Sequence, residues 1–572
     1  MTPSLSRPRA RWLAFATAAA AASLVVAACG GSSSPSAGSS PGTVKSGGTA
    51  TFALDEDVAG FNVLQASDNE FVLQEILDQT WPQAFLTPPN LTPTLNKDLL
   101  TSATVTSSSP QTVVYKINPK ATWSDGTPIS AADFIYNWQA QSGNPKYKDL
   151  GGAAYLDAST AGFNDIKSVT SSDGGKTATV VFSAPYGDWR ALFSPLIPAH
   201  IAQKVGWNNG FQTFGPAVQV SGGPYMIQSY TKGEDLVEVR NPKWWGTPGK
   251  LSKIVFRFIL DDSQQPPAVQ NGEANLVNPA LAALSFYDSV KNISGFTTKV
   301  DAGLEYQHMD FNEANPYLAN VNVRHAIAWG TNRAQMVARI VTPMAPSIKP
   351  LNNRLWMATQ PAYKDTSGIY GAYDPAKAKA ALTSAGMTMG SDGYFHPNSG
   401  PLKGQDLSFN ISTTSGVEVR AQIEQLFQAS MKNIGIKINV KNYDANTFFG
   451  TVLPKGEFDI GEFAWVLTPF DSANQPIFCS YTNTAVCGND WDHYANPTVD
   501  KLFTQAAATI DPTQSAAIYN QIDTILWKDM VTLPLFQQPD LTGYSTKLAG
   551  VQPNTSSVGV TWNAQDWGDT TQ

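Results

Sequence analysis

The stretch "ATWSDGTPISAADFIYNW", residues 121–138, decides how the chain is interpreted. Its middle, Ser-Asp-Gly-Thr-Pro, has the residues of a tight turn. Ser130 and Asp133 follow with the spacing of a helix capping box, in which each side chain bonds to the other residue's backbone N–H. The apolar residues after them then supply one face of a helix. Every conspicuous residue in the stretch therefore has a structural role.

A catalytic interpretation of the same stretch would use Ser124 as nucleophile beside Asp125. A serine nucleophile needs a base to take its proton, and no histidine lies near this pair in the sequence. We therefore expect no catalytic residue here and no enzymatic activity for the chain. The five histidines of the chain are scattered along the sequence, and the sequence has neither a zincin helix nor a phosphate-binding loop.

The composition limits both the architecture and the partners. With 572 residues the chain is too long for one hydrophobic core, so two or three lobes are expected. Apolar residues make up 42% and aromatic residues 11%, which is typical of a folded protein and leaves aromatic side chains available for a ligand cleft. The net charge of −8 argues against nucleic acid as a partner.

The N-terminus predicts export. Three arginines precede an uncharged apolar run over residues 12–28, and Val-Ala-Ala-Cys ends at Cys29. This tetrapeptide resembles the lipobox of bacterial lipoproteins, which implies a signal peptide over 1–28 and lipidation of Cys29. The alternative is an ordinary secretory signal with a chance cysteine. A Gly/Ser-rich tether over residues 29–45 would then hold the protein off the membrane.

Several consequences follow from export. Because a lipidated cysteine carries two or more acyl chains, anchoring would be stable. We expect the extracellular face of the cell membrane, or the periplasmic side where an outer membrane is present. Cys479 and Cys487 remain as an even pair in an oxidising compartment, which predicts a local disulfide; two free buried thiols are the alternative.

The hydrophobic pattern changes character along the chain. The first half has more strands, including one over residues 49–54 and a hairpin over residues 225–240. A helix over residues 69–77 is expected to start at the capping residue Asn69. In the second half strands alternate with helices, one of them over residues 323–341, which predicts an α/β lobe with a largely parallel sheet.

The opening stretch resembles the signature segment of the family-5 extracellular solute-binding proteins of ABC importers, which include oligopeptide- and dipeptide-binding proteins. The resemblance covers nearly the whole chain after the tether. Four further stretches carry it, in the family's order: "GGPYMIQSYTKGEDLVEVRNPKWWG" (222–246), "YQHMDFNEANPYLANVNVRHAIAWGTNRAQMV" (306–337), "YDPAKAKAALTSAG" (373–386) and "TLPLF" (532–536).

The resemblance implies an α/β fold: a two-lobe, periplasmic-binding-protein-like fold of type II, hinged, with an extra subdomain inserted in the first lobe. The crossovers between the lobes would fall near residues 303–309 and 532–537. The implied boundaries are 46–90, 219–304 and 533–572 for lobe I, 91–218 for the inserted subdomain and 305–532 for lobe II.

The resemblance also implies a function without chemistry. Two hinged lobes would close on a small solute, in the leading interpretation a peptide held extended by backbone pairing, and deliver it to ABC permease subunits. No cofactor and no metal are expected, and the protein is expected to be a monomer. The alternatives are an oligosaccharide, a nickel chelate or an opine-like compound as solute, or a receptor that senses peptides without importing them.

Five residues are candidates for ligand contact. In peptide-binding relatives a tryptophan ends one strand, and an aspartate three residues later pairs with the ligand's α-ammonium. Trp465 matches the tryptophan, but Thr468 stands at the aspartate's position, which would remove a contact of about 1.5–3 kcal/mol. Asp471 is the next carboxylate. Asn62 and Tyr155 match cleft-bordering positions and are equally consistent with structural roles.

One pair of residues could suggest a metal site. His308 and Asp310 are two apart in a predicted strand, so they share a face. They lie near a crossover in a segment that already has a structural role, and we therefore expect no metal there.

Overall fold

The computed structural model describes residues 44–65, 67–482 and 487–570. The predicted signal peptide and Cys29 lie outside the described residues. Nothing in the described part is a helix both long enough and apolar enough to cross a bilayer.

Strands and helices, joined by loops, are distributed along all of the described residues. The strands are β1 (Thr49–Leu54), β2 (Phe85–Leu86), β3 (Thr94–Leu95), β4 (Leu100–Ser108), β5 (Gln111–Ile117), β6 (Ile166–Thr170), β7 (Thr177–Phe182), β8 (Tyr225–Thr231), β9 (Asp235–Arg240), β10 (Lys253–Phe258), β11 (Leu276–Val277), β12 (Phe296–Phe311), β13 (Met387–Met389), β14 (Phe395–Pro397), β15 (Ser408–Ser412), β16 (Lys437–Val440), β17 (Ile460–Val466), β18 (Thr532–Ser545), β19 (Leu548–Ala549) and β20 (Gly568–Asp569). The α-helices are α1 (Phe71–Leu77), α2 (Ala131–Gln141), α3 (Ala199–Val205), α4 (Gln265–Gln270), α5 (Leu284–Val290), α6 (Val321–Gly330), α7 (Arg333–Met336), α8 (Pro375–Ser384), α9 (Glu418–Ile434), α10 (Ala445–Thr447), α11 (Gln475–Phe478), α12 (Pro497–Ala507) and α13 (Pro512–Asp529).

One large mixed sheet runs through the described part of the chain. Its order is β16-β15-β17-β12-β18-β11-β1-β10-β9-β8. The two long strands at its middle, β12 and β18, pair antiparallel, so each belongs to both halves of the sheet. The predicted largely parallel arrangement of the second half holds for β15 with β16 and β17, but β17 and β12 pair antiparallel. The reason is that β12 enters this half from the other half of the sheet and so runs opposite to β15, β16 and β17.

The apolar side chains form separate cores on the two sides of this sheet's middle. One core gathers α6, α8 and α9 against β12, β15 and β18, and another gathers α1 against β1, β8 and β10. A third core lies under a smaller antiparallel sheet, of order β4-β5-β7-β6, and includes α2. Separate cores of this kind are what a chain of this length requires.

The opening stretch sits in the third core as architecture. Trp123 is fully buried, and its indole Nε1 donates to Asp133 Oδ1 over 3.3 Å. The other carboxylate oxygen of Asp133 accepts from the backbone N–H of Ser130 over 2.9 Å, which completes the capping box at the start of α2. Asp133 also accepts from the backbone N–H of Ala199 over 3.0 Å, so one carboxylate ties α2 to α3.

The fold brings a histidine to this stretch that is distant in sequence. His200 Nε2 lies 2.7 Å from Asp125 Oδ2. The hydroxyl of Ser124 is engaged elsewhere, because its Oγ accepts from the backbone N–H of Ser221 over 3.0 Å. The histidine therefore joins the turn to α3, while the serine hydroxyl bonds to the backbone of Ser221.

Two predicted helix boundaries are wrong. The helix expected over residues 323–341 breaks at Thr331, whose backbone is extended, and Asn332 caps the next helix by accepting from Gln335 N over 3.0 Å. An asparagine side chain bonds readily to nearby backbone, so it ends one helix and starts another. The helix predicted over residues 69–77, α1, begins after Glu70, not after Asn69.

Candidate functional site

A cavity of about 550 Å³ lies beside the middle of β12 and β18. Its walls come from segments far apart in sequence: the loop after β1, the start of α1, the loop before α3, the loop after β11, the end of β17 and the segment between β19 and β20. A concave space of this size, where several segments converge, is the usual setting for a small-molecule site.

A second cavity, of about 600 Å³, adjoins the first, and Ala280 lines both. Its walls are the segments that follow β1 and β10, the loop after β11 and the N-terminal end of α9. Because β1 is parallel to both β10 and β11, these walls are the carboxyl ends of parallel strands. Ligands of open α/β sheets bind outside such ends. We call the two cavities together the cleft.

The cleft is lined by acids. None of the described residues that line it is a lysine, arginine or histidine. Burial raises the pKa of Glu305 to about 8, against the opposing effect of the Arg420 charge. Burial also raises the pKa of Asp540 to about 6, although a hydrogen bond donated by the side-chain amide of Asn278 opposes the shift. The acids are Glu70, Glu305 and Asp540 in the first cavity and Asp55, Glu56, Asp261, Asp262 and Glu418 in the second.

Thr468 lines the cleft, and Asn62 shapes it from behind. The Thr468 hydroxyl bonds to both the N–H and the C=O of Phe470, over 3.1 and 3.0 Å, so it also holds a turn. Asn62 is fully buried and donates to the carbonyl of Trp207 over 3.1 Å. Its own Oδ1 accepts from the N–H of Leu64, a residue that does line the cleft.

Trp465 lies on the other face of β17 from the cleft-lining Val466, as strand alternation requires. Its ring stacks on Trp491, with centroids 5.4 Å apart and planes at 23°, and meets Phe463 edge-on. Its indole Nε1 is buried without a partner among the described residues. A direct role of Trp465 in ligand binding stays a prediction. Any such ligand would contact the face of β17 opposite Val466.

Asp471 and Tyr155 lie outside the lining of the cleft. Asp471 is buried, and burial together with the nearby Asp188 charge raises its pKa well above the usual range. Tyr155 is half-buried and packs edge-on against Trp207 and Tyr136, at 6.1 and 6.4 Å between centroids. Their roles in ligand contact also stay predictions.

Sequence reasoning missed the polar groups that the two long strands bring to the cleft. Glu305 belongs to β12, while Gln538 and Asp540 belong to β18, and Asn278 follows β11. The available signal was a charged residue inside a strand that is otherwise buried, close to a predicted crossover. Its meaning depended on the pairing of β12 with β18, which the sequence does not show.

His308 and Asp310 are both buried, with 2.9 Å between Nε2 and Oδ1. His308 also packs edge-on against Phe463. The described residues contain one set of three side chains whose ligand atoms come close enough for a metal, Asp392, His396 and Asp406. That set lies at the surface, away from the cleft lining.

The structure has a disulfide between Cys479 and Cys487, whose Cα atoms are 5.6 Å apart. It closes a short loop that includes residues outside the described ranges.

Comparison with known proteins assigns the family. Residues 94–485 match the family model described as bacterial extracellular solute-binding proteins, family 5 Middle. The chain is 30% identical over 518 residues to the oligopeptide-binding protein OppA of Mycobacterium tuberculosis (strain ATCC 25618 / H37Rv), covering 89% of this chain and 83% of that protein. It is 26% identical over 514 residues to an uncharacterized lipoprotein of the same strain, covering 82% and 83%.

Solved structures agree on the fold. The periplasmic EDTA-binding protein EppA superposes with a TM-score of 0.85 at 28% identity, covering 92% of this chain and 98% of that one. The oligopeptide-binding protein AppA from Bacillus subtilis, in complex with a nonapeptide, superposes with a TM-score of 0.75 at 20% identity, covering 92% and 100%. The predicted two-lobe α/β fold is confirmed. The chain belongs to family 5 of the bacterial extracellular solute-binding proteins.

Proposed function

We propose that this protein is the substrate-binding component of an ABC importer and that it captures peptides by closing two lobes around them. The lobes are those expected from the sequence: 46–90, 219–304 and 533–572 for lobe I, with the subdomain 91–218 inserted, and 305–532 for lobe II. The observation that carries the proposal is the cleft itself, because all three of these parts contribute walls to it.

The hinge is assigned to the middle of β12 and β18. Their register shifts between Ala302 and Tyr306, so the ladder of hydrogen bonds is interrupted there. The side chain of Gln537 spans the interruption by donating to the carbonyl of Gly303 over 2.8 Å. An irregularity in a ladder is a place where a strand bends, and two such strands side by side can act as a hinge.

Contacts between the proposed lobes describe a closed arrangement. The hydroxyl of Tyr186 lies 3.0 Å from that of Ser472, whose backbone N–H also donates to Asp188 over 2.9 Å. On the other side of the cleft, Ser285 donates to Glu418 over 2.5 Å. These few polar contacts can break without exposing a large apolar area, as reversible opening requires.

The free edge of β17 supports a peptide as the solute. In the described pairings β15 meets β17 only opposite Ile460 and Gly461, so the rest of that edge has no strand beside it. An extended peptide could add to this edge through backbone hydrogen bonds, leaving its side chains to the cavities. The relative named as an oligopeptide-binding protein and the nonapeptide complex agree with this proposal.

A chelate such as metal–EDTA fits the cleft less well. EDTA carries several carboxylates, and the walls offer it acids without a described lysine, arginine or histidine. Two like charges in a partly buried site repel each other. The similarity to an EDTA-binding protein therefore supports the fold more than the solute.

Anchoring through Cys29 is proposed on the sequence, and a relative named as a lipoprotein agrees with it. Export would place the cleft on the outer side of the membrane, where a permease could receive the closed protein. Import and sensing share this arrangement.

The solute is tested by mass spectrometry of what the protein retains. Protein purified without denaturation is unfolded in acid, and the released small molecules are identified. We expect a mixture of short peptides in amounts comparable to the protein, because a closed cleft releases its solute slowly. Recovery of one sugar or one metal complex, with no peptide, would overturn the proposal.

A further inference from the structure

The unusual feature of the cleft is where its acids lie. Glu305 and Asp540 belong to neighbouring strands at the assigned hinge, and both line the first cavity. Within the described residues, neither forms an ion pair with a lysine, arginine or histidine. The positive charge of Arg420 opposes the raised pKa of Glu305, but Arg420 does not line the cavity.

A second observation points to a ligand at the same place. Asn278 and Gln538 are only 6% and 2% exposed, and both line this cavity. Asn278 donates from Nδ2 to Asp540 Oδ1 over 2.8 Å and to the Leu541 carbonyl over 2.9 Å, which fixes the amide's orientation and leaves Oδ1 without a partner. Gln538 Nε2 also has no partner among the described residues. Buried polar atoms normally have a hydrogen-bond partner, so these two atoms indicate that a bound ligand supplies their partners.

The cleft also has exposed apolar side chains on its walls. Val466 is 53% exposed although it ends a central strand, and its exposed side faces the cavity. Leu260, on the wall of the adjoining cavity, is 60% exposed. The ligand that suits the cleft therefore combines apolar groups with positive charge and hydrogen-bonding capacity.

We propose that Glu305 and Asp540 hold an ammonium group of the bound peptide, with the free Asn278 oxygen as a third acceptor. This inference rests on the proposed peptide-binding function and deepens it, because it names the ligand's charge. It also supplies the acceptor that is missing at Thr468. An ammonium has three N–H donors, which matches three acceptors, whereas a carboxylate in the same place would face two acids. The ammonium can be the peptide's α-amino group or a lysine side chain.

The burial of these acids predicts how binding depends on pH. Glu305 faces Arg420 and Asp540, and Asp540 acts in turn on Glu75 and is itself affected by Asn278 and Asp301. With pKa values of about 8 and about 6, Glu305 is largely protonated and Asp540 largely ionised at neutral pH. A bound ammonium favours the ionised forms. For a lysine side chain, which stays charged over this range, affinity should therefore rise as pH increases from 6 to 8, and binding should release a proton; for an α-amino group the rise should end near that group's own pKa of about 8.

The test uses calorimetry with four probe peptides: Ala-Ala-Ala-Ala-Ala, its N-acetylated form, Ala-Ala-Lys-Ala-Ala and Ala-Ala-Glu-Ala-Ala. The wild type is expected to show a preference of at least about tenfold in one of two comparisons, either Ala-Ala-Ala-Ala-Ala over its acetylated form or the lysine peptide over the glutamate peptide, as one charge-assisted contact would provide. E305Q/D540N should lose this preference. E234Q/E457Q, which removes the same charge at two exposed acids, should keep it.

The four probes also locate the ammonium. If acetylation removes most of the affinity, the α-amino group is the one held; if lysine alone raises it, the side chain is. A thermal melt checks that E305Q/D540N folds, and its melting temperature should not fall, because both acids are partly exposed and are replaced by amides of nearly the same shape. Two results would overturn the inference: a wild type whose affinity changes neither on acetylation nor on the exchange of lysine for glutamate, or an E305Q/D540N variant that keeps the wild type's preference. Failure of the wild type to bind any peptide would instead overturn the proposed function.

Discussion

Replacing Arg354 by methionine is expected to lower the free energy of unfolding by about 3–5 kcal/mol, the usual cost of removing one partner from a buried ion pair. Arg354 and Asp523 are both fully buried, and Arg354 Nη1 lies 3.2 Å from Asp523 Oδ1. The same guanidinium donates from Nε to the Thr532 hydroxyl over 2.8 Å and lies over the ring of Trp527. The substitution leaves Asp523 buried without its counter-charge.

The deficit should depend on pH in a definite direction. Burial already raises the pKa of Asp523, in spite of Arg354. Without the guanidinium this pKa should rise further above its value in the unfolded chain. A carboxyl whose pKa is raised on folding costs no stability at a pH below its unfolded-state pKa. The cost grows as the pH rises from that pKa to the folded-state pKa, and it stays constant above both. The loss of stability should therefore be smaller at pH 5 than at pH 8 in denaturant titrations.

The matched control removes both charges. R354M/D523L removes both members of the pair, so it should be more stable than R354M alone, as found for buried pairs replaced by apolar residues. A loss below about 1 kcal/mol in R354M, within the range of exposed pairs, would mean that the pair is not buried in solution.

Replacing Val466 by tryptophan is expected to weaken peptide binding by at least about 30-fold, since an obstructed central contact costs about 2 kcal/mol or more. Val466 projects into the first cavity, so the larger side chain would occupy space that the ligand needs. Because the valine is already 53% exposed, the folded protein can accept the new ring without overpacking. The measurement is calorimetry with the peptide recovered from the wild type.

Val440 offers a matched control for this substitution. It is also an exposed strand valine, at 45%, but it belongs to the edge strand β16 and lines neither cavity. V440W should bind the peptide as the wild type does, and both variants should unfold within about 0.5 kcal/mol of it, as surface substitutions usually do. Unchanged peptide affinity in V466W would place the site elsewhere.

Local chemistry made much of the fold predictable. The capping box of α2, the hairpin of β8 and β9 around Gly233, and the full length of α9 up to Gly435 all follow from residues close together in sequence. Gly435 ends its helix in a left-handed conformation, at φ +84°, which glycine adopts without strain. These features depend on a few neighbouring residues, so a single sequence contains the information.

The candidate site depended on pairings between distant strands, which no local pattern contains. Trp465 and Thr468 are three residues apart, and the resemblance placed both at the ligand, but alternation sends Trp465 away from the cleft that Thr468 lines. Glu305 and Asp540 were missed because they meet only through the antiparallel pairing of β12 with β18. β12 also pairs antiparallel with β17, which is why the second half of the sheet is less parallel than its strand–helix alternation indicated.

The central claim is that the two lobes close around a solute, and small-angle X-ray scattering tests it most directly. Retained ligand is removed by unfolding and refolding, and scattering is recorded before and after the recovered peptide is added. The radius of gyration should fall on addition for the wild type and for V440W, and stay constant for V466W. A profile that does not change for the wild type, while calorimetry on the same sample shows saturation with peptide, would contradict closure.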